Sequence, residues 1–168
     1  MIRPERPEDH AAIRALHDHA FAPSRLEADL VEALRTAGDH VPDLCLVAVD
    51  DTNQIVGHVM LSTARVGARK ALALGPIAVR PDRQRRGIGT QLMHTTIRRA
   101  RDTDYPLIAL LGHPGFYAHF GFAPANQLHL TTVYDAPPEA WLALPLPAYD
   151  PSVRGAFHHP PAFSNPAH

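Results

Sequence analysis

The sequence predicts an α/β (α+β mixed) fold, a mixed sheet with helices on both faces, and three observations predict it. Two helical patterns come first, a hairpin of apolar runs comes next, and a strand–helix–strand unit closes the series at about residues 71–111. A hairpin requires antiparallel pairing, whereas a helix crossover returns the chain parallel to its start. Both modes in one chain give a mixed sheet.

Each element has a local cause. Pro7-Glu8-Asp9, then Ile13, Leu16 and Ala20, carries the proline start and acidic first turn of a helix. Ser24-Arg25-Leu26-Glu27 reads as a capping box, opening a second helix with Leu26, Leu30 and Leu34 on one face. Leu44–Val49 and Gln54–Leu61 flank the turn Asp50-Asp51-Thr52-Asn53 and form the hairpin. Ala71–Val79 is a third apolar run, interrupted by Gly75-Pro76. Proline cannot donate to a ladder, so this strand is bulged or unpaired there, or is a plain edge irregularity. After the turn Pro81-Asp82 comes a helix from about Gly87 to Arg101. Ile88, Leu92, Met93, Ile97 and Ala100 form its buried stripe, and Arg98, Arg99 and Arg101 suit its negative end. Pro106–Leu111 is the next strand. Phe116–Phe120 is a helical turn stopped at Gly121, and Leu128–Tyr134 alternates as a last strand.

The chain of 168 residues fits one domain, 1–168, long enough to bury about two-thirds of its unfolded surface. From about 136 to 168 prolines are so dense that no long helix can form. That stretch reads as a meandering surface segment packed on the same domain, with Trp141, Leu142, Leu144 and Leu146 to pin it and a disordered end from Ser164 to His168.

Composition excludes several functions. Hydrophobic residues make up 45% and charged residues 20%, which argues against wholesale disorder. The net charge of −1 provides no basic field for nucleic acid, and the Arg98-Arg99-Arg101 run reads as a solvated helix end. The single cysteine, Cys45, lies in an apolar run and reads as a buried, inert thiol. His17 and His19 fall about 200° apart on a helix and cannot easily share a metal ion. No signal peptide or membrane-length apolar stretch occurs, so the expected location is the cytoplasm.

Gln84-Arg85-Arg86-Gly87-Ile88-Gly89 carries the chemistry. It comes after an apolar strand and a proline turn, and it opens a helix whose first amides have no internal partner beside the positive end of the dipole. Gly87 and Gly89 lack Cβ atoms, so a phosphate can approach the main chain, with Arg83, Arg85 and Arg86 around it. No lysine succeeds the glycines as a Walker A loop requires, and Leu92 stands where a Rossmann fingerprint needs a third small residue. A bare Gly-x-Gly would read as a surface turn. The flanking strand, the arginines and the downstream residues favour a diphosphate cradle.

With these residues in place, the chain resembles the GNAT superfamily of N-acetyltransferases. The family motif Gln/Arg-x-x-Gly-x-Gly/Ala is met by Gln84, Gly87 and Gly89, after Leu74–Pro81 and before Phe116–Phe122. Within the superfamily it resembles the bacterial YhbS-like group, in which a similar His-Pro-Gly-Phe-Tyr-x-x-Phe-Gly-Phe segment comes after the fifth strand. The good match covers roughly residues 72–124. The resemblance implies a mostly antiparallel mixed sheet of about six to seven strands, whose fourth and fifth splay apart to admit a thioester. It implies acetyl-CoA as co-substrate, with no metal, and an amine acceptor, with a homodimer compatible with the family. Main-chain groups of Ile77, Ala78 and Val79 would hold the pantetheine arm. Gln84, Arg85, Arg86, Gly87, Ile88, Gly89 and Thr90 would bind the pyrophosphate, and an amide near Ala78 would stabilise the oxyanion.

Acetyl transfer from a thioester needs a neutral amine, a stabilised oxyanion and a proton for the departing thiolate. By the resemblance Tyr117, four residues before Gly121, is the general acid. A phenol of pKa about 10 suits a thiolate of pKa about 8.5 in contact with it. The alternative is a ring that only packs. For the base, the strands carry no carboxylate, and Leu110 stands where relatives have asparagine. His113 as base or relay, His119 and a water relay are the candidates, and His113 as a mere loop residue is the alternative. The acceptor is an unidentified small molecule or peptide amine. The other readings are a non-catalytic acyl-CoA sensor and an enzyme with a different acyl donor.

Overall fold

The computed structural model describes residues 1–164. The strands are β1 (Ile2–Pro4), β2 (Leu46–Val49), β3 (Ile55–Val66), β4 (Arg69–Val79), β5 (Leu107–Leu111), β6 (Ala123–Pro124), β7 (Leu130–Thr132), β8 (Trp141–Pro145) and β9 (Gly155–His158). The α-helices are α1 (His10–Ala20), α2 (Leu26–Ala37), α3 (Ile88–Ala100) and the single turn α4 (Pro114–Tyr117). The nine strands of the described residues join one sheet, in the order β1-β2-β3-β4-β5-β8-β6, with β9 pairing both β3 and β7. That is more than the six or seven expected, because the proline-rich tail adds two. Trp141–Pro145 is no surface meander: it pairs antiparallel with β5 from Leu107↔Pro145 to Leu111↔Trp141, and its one proline is the last residue of the strand. Leu128–Tyr134 shortens to β7 and is not the last strand. Ser164 closes a 3₁₀ turn, and the rest of the segment expected to be disordered, 165–168, lies outside the described residues.

Strand alternation sorts the core into two faces. On one, Leu92, Met93 and Ala100 of α3 pack on Leu46, Val59, Leu61, Leu72 and Ile108. On the other, Ile13, Val31 and Leu34 of α1 and α2 pack on Val47, Val49 and Met60. The buried face of α2 is therefore Ala28, Val31 and Leu34, with Leu26 left 39% exposed, in place of the expected Leu26–Leu30–Leu34 stripe. Its capping box is displaced by one residue. Arg25 occupies the N-cap, while the Ser24 hydroxyl accepts from Leu26 N–H (3.2 Å) and donates to the Glu27 carboxylate (2.8 Å). In α3 the buried stripe takes in Thr96, whose hydroxyl donates to Leu44 O at 3.2 Å.

Opposite Met60 the expected interruption of β4 becomes a bulge. Val59 pairs with Ile77 and Leu61 with Leu74, so Gly75 and Pro76 together face one residue of β3. Before the bulge even-numbered residues face α3; after it Ile77 and Val79 do. The extra residue keeps both apolar sets on one side.

Between α1, α2 and the sheet lies a buried polar chain that no sequence pattern announced. Arg35 Nε donates to Glu5 Oε2 at 2.7 Å, His58 Nε2 donates to Glu5 Oε1 at 2.7 Å, and His17 Nε2 lies 2.9 Å from His58 Nδ1. The carboxylate fixes both tautomers, since it must receive the His58 proton, so His17 must donate and its own Nδ1 keeps a bare lone pair. That atom is buried without a partner among the described residues. Burial pushes His17 down to about 3 and lowers His58 against the pull of Glu5. Burial would raise the Glu5 carboxyl, but the hydrogen bonds from His58 and Arg35 outweigh it and hold the group at about 2. Among the described residues no helix is long and apolar enough to cross a membrane.

This chain of polar contacts makes the fold acid-labile. Unfolded histidine takes a proton below about pH 6.5 while buried His17 refuses one until about pH 3, so acidification favours the unfolded state at about 1.4 kcal/mol per pH unit per such group. The Glu5 contribution, complete above the ordinary carboxylate pKa of 4.5, is lost as pH falls toward 2. Urea unfolding is expected to give a nearly constant free energy from about pH 8 to 7, a loss above about pH 8.5 as the unfolded Cys45 thiol ionises, and a progressive loss below about 6.5; a flat profile down to pH 5 would contradict it.

Candidate functional site

β4 and β5 pair only at Leu72↔Ile108 and Ala73↔Ala109. Beyond these couples β4 bends through its bulge, β5 continues with β8 as its other neighbour, and a gap opens between them. Arg80 N–H donates to Val56 O at 2.8 Å. By the alternation of an antiparallel ladder, the couple Ala78↔His58 is then also hydrogen-bonded. The Ala78 amide is thus turned toward β3, whereas the main-chain groups of Ile77 and Val79 face the gap. An oxyanion donor from this strand is therefore one of those two amides rather than that of Ala78.

A cleft of about 340 Å³ occupies the α3 side of the gap. Of the eleven residues expected at a cofactor, ten line it: Ile77, Ala78, Val79, Gln84, Arg85, Gly87, Ile88, Gly89, Thr90 and Tyr117. Arg86 does not; the lining takes in Arg83 and Phe116 instead. Local chemistry builds the loop. Pro81–Arg83 is a 3₁₀ turn, Arg85 adopts φ 65 and Gly87 adopts φ 82 as the N-cap of α3. The first amide with a partner inside the helix is Gln91, which donates to Gly87 O at 3.0 Å, so those of Ile88, Gly89 and Thr90 are free. Left-handed residues beside a helix start gather main-chain N–H groups into an anion-binding concavity. Gln84 braces it: its Nε2 donates to Val79 O at 3.1 Å. Arg83 is tied to Asp50 at 3.2 Å and Arg80 to Asp82 at 2.6 Å, which leaves exposed Arg85 and Arg86 as the uncommitted charges of the loop.

Tyr117 forms the far wall. Its ring makes edge contacts with Phe116 and Phe122 at 5.0 and 5.9 Å and lies over Gly112, where a Cβ atom would come within 2.5 Å of Tyr117 Cε2. Burial alone raises its pKa, with no charged neighbour contributing, so the phenol keeps its proton at working pH. His113 is not brought to the cleft. It is the N-cap of α4, and its Nδ1 accepts from Gly115 N–H at 3.1 Å. His119 does not line the cleft but a neighbouring cavity of about 320 Å³ that shares Thr90 and Phe116 with it and is completed by His94 and Phe120. Among the described residues no carboxylate lines the cleft, and no group of three or more His, Cys, Asp or Glu could hold a metal ion.

Comparison with known proteins places this geometry. Residues 10–122 match the model of the Acetyltransferase (GNAT) family. The chain is 34% identical over 124 residues to the uncharacterized N-acetyltransferase YhbS of Escherichia coli K12, covering 73% of this chain and 72% of YhbS. It is 30% identical over 155 residues to YjhQ of the same strain, also an uncharacterized N-acetyltransferase, covering 88% and 84%. Its backbone superposes on crystalline E. coli YhbS in complex with CoA with a TM-score of 0.91 at 29% identity, over 98% of this chain and 92% of that one. An acetyltransferase from Brucella melitensis in complex with acetyl-CoA gives 0.79 at 31%, over 97% of each chain.

The contact under Tyr117 is directly testable. Gly112→Ala must push the ring out of its seat, and overpacking of this kind costs about 1–3 kcal/mol. Urea unfolding is expected to show a loss in that range; an unchanged midpoint would mean that the ring is not seated there.

Proposed function

The chain belongs to the acetyltransferase (GNAT) family and is an N-acetyltransferase, and on that premise we propose that it moves the acetyl group of acetyl-CoA to a primary amine by direct attack in a ternary complex. One observation carries the reading: a single cleft unites the open helix start at Gly87–Gly89, the unpaired edge at Ile77 and Val79, and Tyr117. The free amides of α3 suit the diphosphate, and the edge suits the amide groups of the pantetheine arm as an added strand would. The amine nitrogen attacks the thioester carbon, forming the C–N bond, while an amide facing the gap receives the developing oxyanion. The C–S bond then breaks, and Tyr117 gives its proton to the thiolate and regains one from solvent. With no carboxylate in the lining, the ammonium loses its proton to water. Cys45 takes no part: it is buried in the core, and burial first of all pushes its thiol up to about 12.

That missing carboxylate is also what favours the second reading, a sensor that binds acyl-CoA without turnover. Tyr117→Phe separates the two. Thiol release from acetyl-CoA is expected to fall at least about 100-fold, with CoA affinity by calorimetry essentially unchanged. For the unsubstituted protein kcat/KM is expected to rise with pH through the amine's own pKa. A sensor releases no thiol with or without the substitution. Gly89→Asp places a carboxylate where the diphosphate would sit and is expected to weaken CoA binding at least tenfold by the same calorimetry; unchanged affinity would remove the loop from the site.

A further inference from the structure

The end of β5 also borders a cavity on the α1–α2 face of the sheet. Leu110 points to the α3 side and packs in that core, so Leu111, the next residue, points the other way. There it lines a second cavity of about 320 Å³ with Leu26, Glu27 and Leu30 of α2, Tyr134 and Phe163. Its neighbour Gly112 is the residue on which the Tyr117 ring lies. The two cavities therefore flank one strand end, one lined by Leu111 and the other by the ring that rests on Gly112.

The walls are unusual for a protein surface. Leu26 and Leu111 are each 39% exposed, and they are two of only four large hydrophobic residues left exposed among the described residues. Both belong to this pocket. Its one charged wall is the Glu27 carboxylate, oriented by the Ser24 hydroxyl at 2.8 Å, and its other polar group is the Tyr134 hydroxyl, which lies 3.2 Å from Ser164 Oγ. Concave apolar walls with a single placed charge are the pattern of a small-molecule site, and a cavity near 320 Å³ lies at the small end of such sites.

We infer that this pocket receives the acceptor, and that the acceptor is a small primary amine carried on an apolar body. The inference rests on the acetyl-transfer reading and names the substrate class for it. The apolar body displaces water from Leu26, Leu30, Leu111 and Phe163, and Glu27 draws the ammonium by charge complementarity. A polyamine or aminoglycoside would bury more polar groups than Glu27 and the Tyr134 hydroxyl can partner, so these walls select against it.

The test is a thiol-release assay with acetyl-CoA against phenethylamine, hexylamine, ethanolamine, spermidine and kanamycin. Expected is a kcat/KM for phenethylamine and hexylamine at least about tenfold above that for the three polar amines. Glu27→Gln is expected to raise KM for phenethylamine several-fold, and Leu111→Asp to abolish the preference for apolar amines. Thiol release with the polar amines as efficient as with the apolar ones overturns the inference and leaves the acetyl-transfer reading standing. The same holds if neither substitution changes the selectivity. No thiol release with any amine, alongside calorimetric CoA binding, overturns both. If Leu26→Asp converts a dimer to a monomer in analytical ultracentrifugation with amine selectivity unchanged, the patch belongs to a second copy and the inference falls.

Discussion

The whole site depends on two residue pairs and on the parting of the strands beyond them. Leu72↔Ile108 and Ala73↔Ala109 bring β4 and β5 together as parallel neighbours, and past them the strands never meet again. A strand edge inside a sheet normally has its hydrogen-bonding groups satisfied. Here the edge of β4 at Ile77 and Val79 is left facing open space, and β5 ends beneath Tyr117. The bulge at Gly75–Pro76 makes this arrangement compatible with a dry core. It shifts the side-chain phase of β4 by one residue, so that Leu74, Ile77 and Val79 all face α3 although the chain between them bends away. One extra residue thus serves both the packing and the gap.

The parts of the site legible in the sequence were those encoded by local backbone chemistry. Proline at residue 81, glycines at residues 87 and 89 and the apolar period of the helix they open each dictate conformation within a few residues, and the cleft takes in Gly87, Ile88 and Gly89 from that stretch. Gly75–Pro76 was readable for the same reason, because a proline inside an apolar run cannot belong to a regular ladder. Tyr117 was readable only through its fixed distance from Gly121. His113 misled because proximity to Tyr117 along the chain says nothing about where its ring turns, and a proline-started turn needs a cap.

What could not be read was long-range. The strand Trp141–Pro145 lies among prolines, and no local rule says that β5 would leave an edge free for it to fill. Arg35, His58 and His17 come from three separate elements and Glu5 from the link after β1, and they converge only once the sheet and both helices exist. Each one alone is an ordinary polar residue. Likewise, α2 carries enough apolar residues for two faces, and only the position of the sheet decides that Val31 is buried and Leu26 is not.

The seclusion of Cys45 has a practical side. It is the only cysteine in the chain, it makes no contact with solvent, and its Sγ is held against Val41 O and Leu61 O at 3.2 and 3.5 Å. A thiol reagent added to the folded protein therefore meets no protein thiolate, and any colour that develops belongs to liberated coenzyme A. The same atom becomes reactive only when the hairpin core opens. One residue thus makes the molecule a silent background for its own assay and a built-in clock for its unfolding.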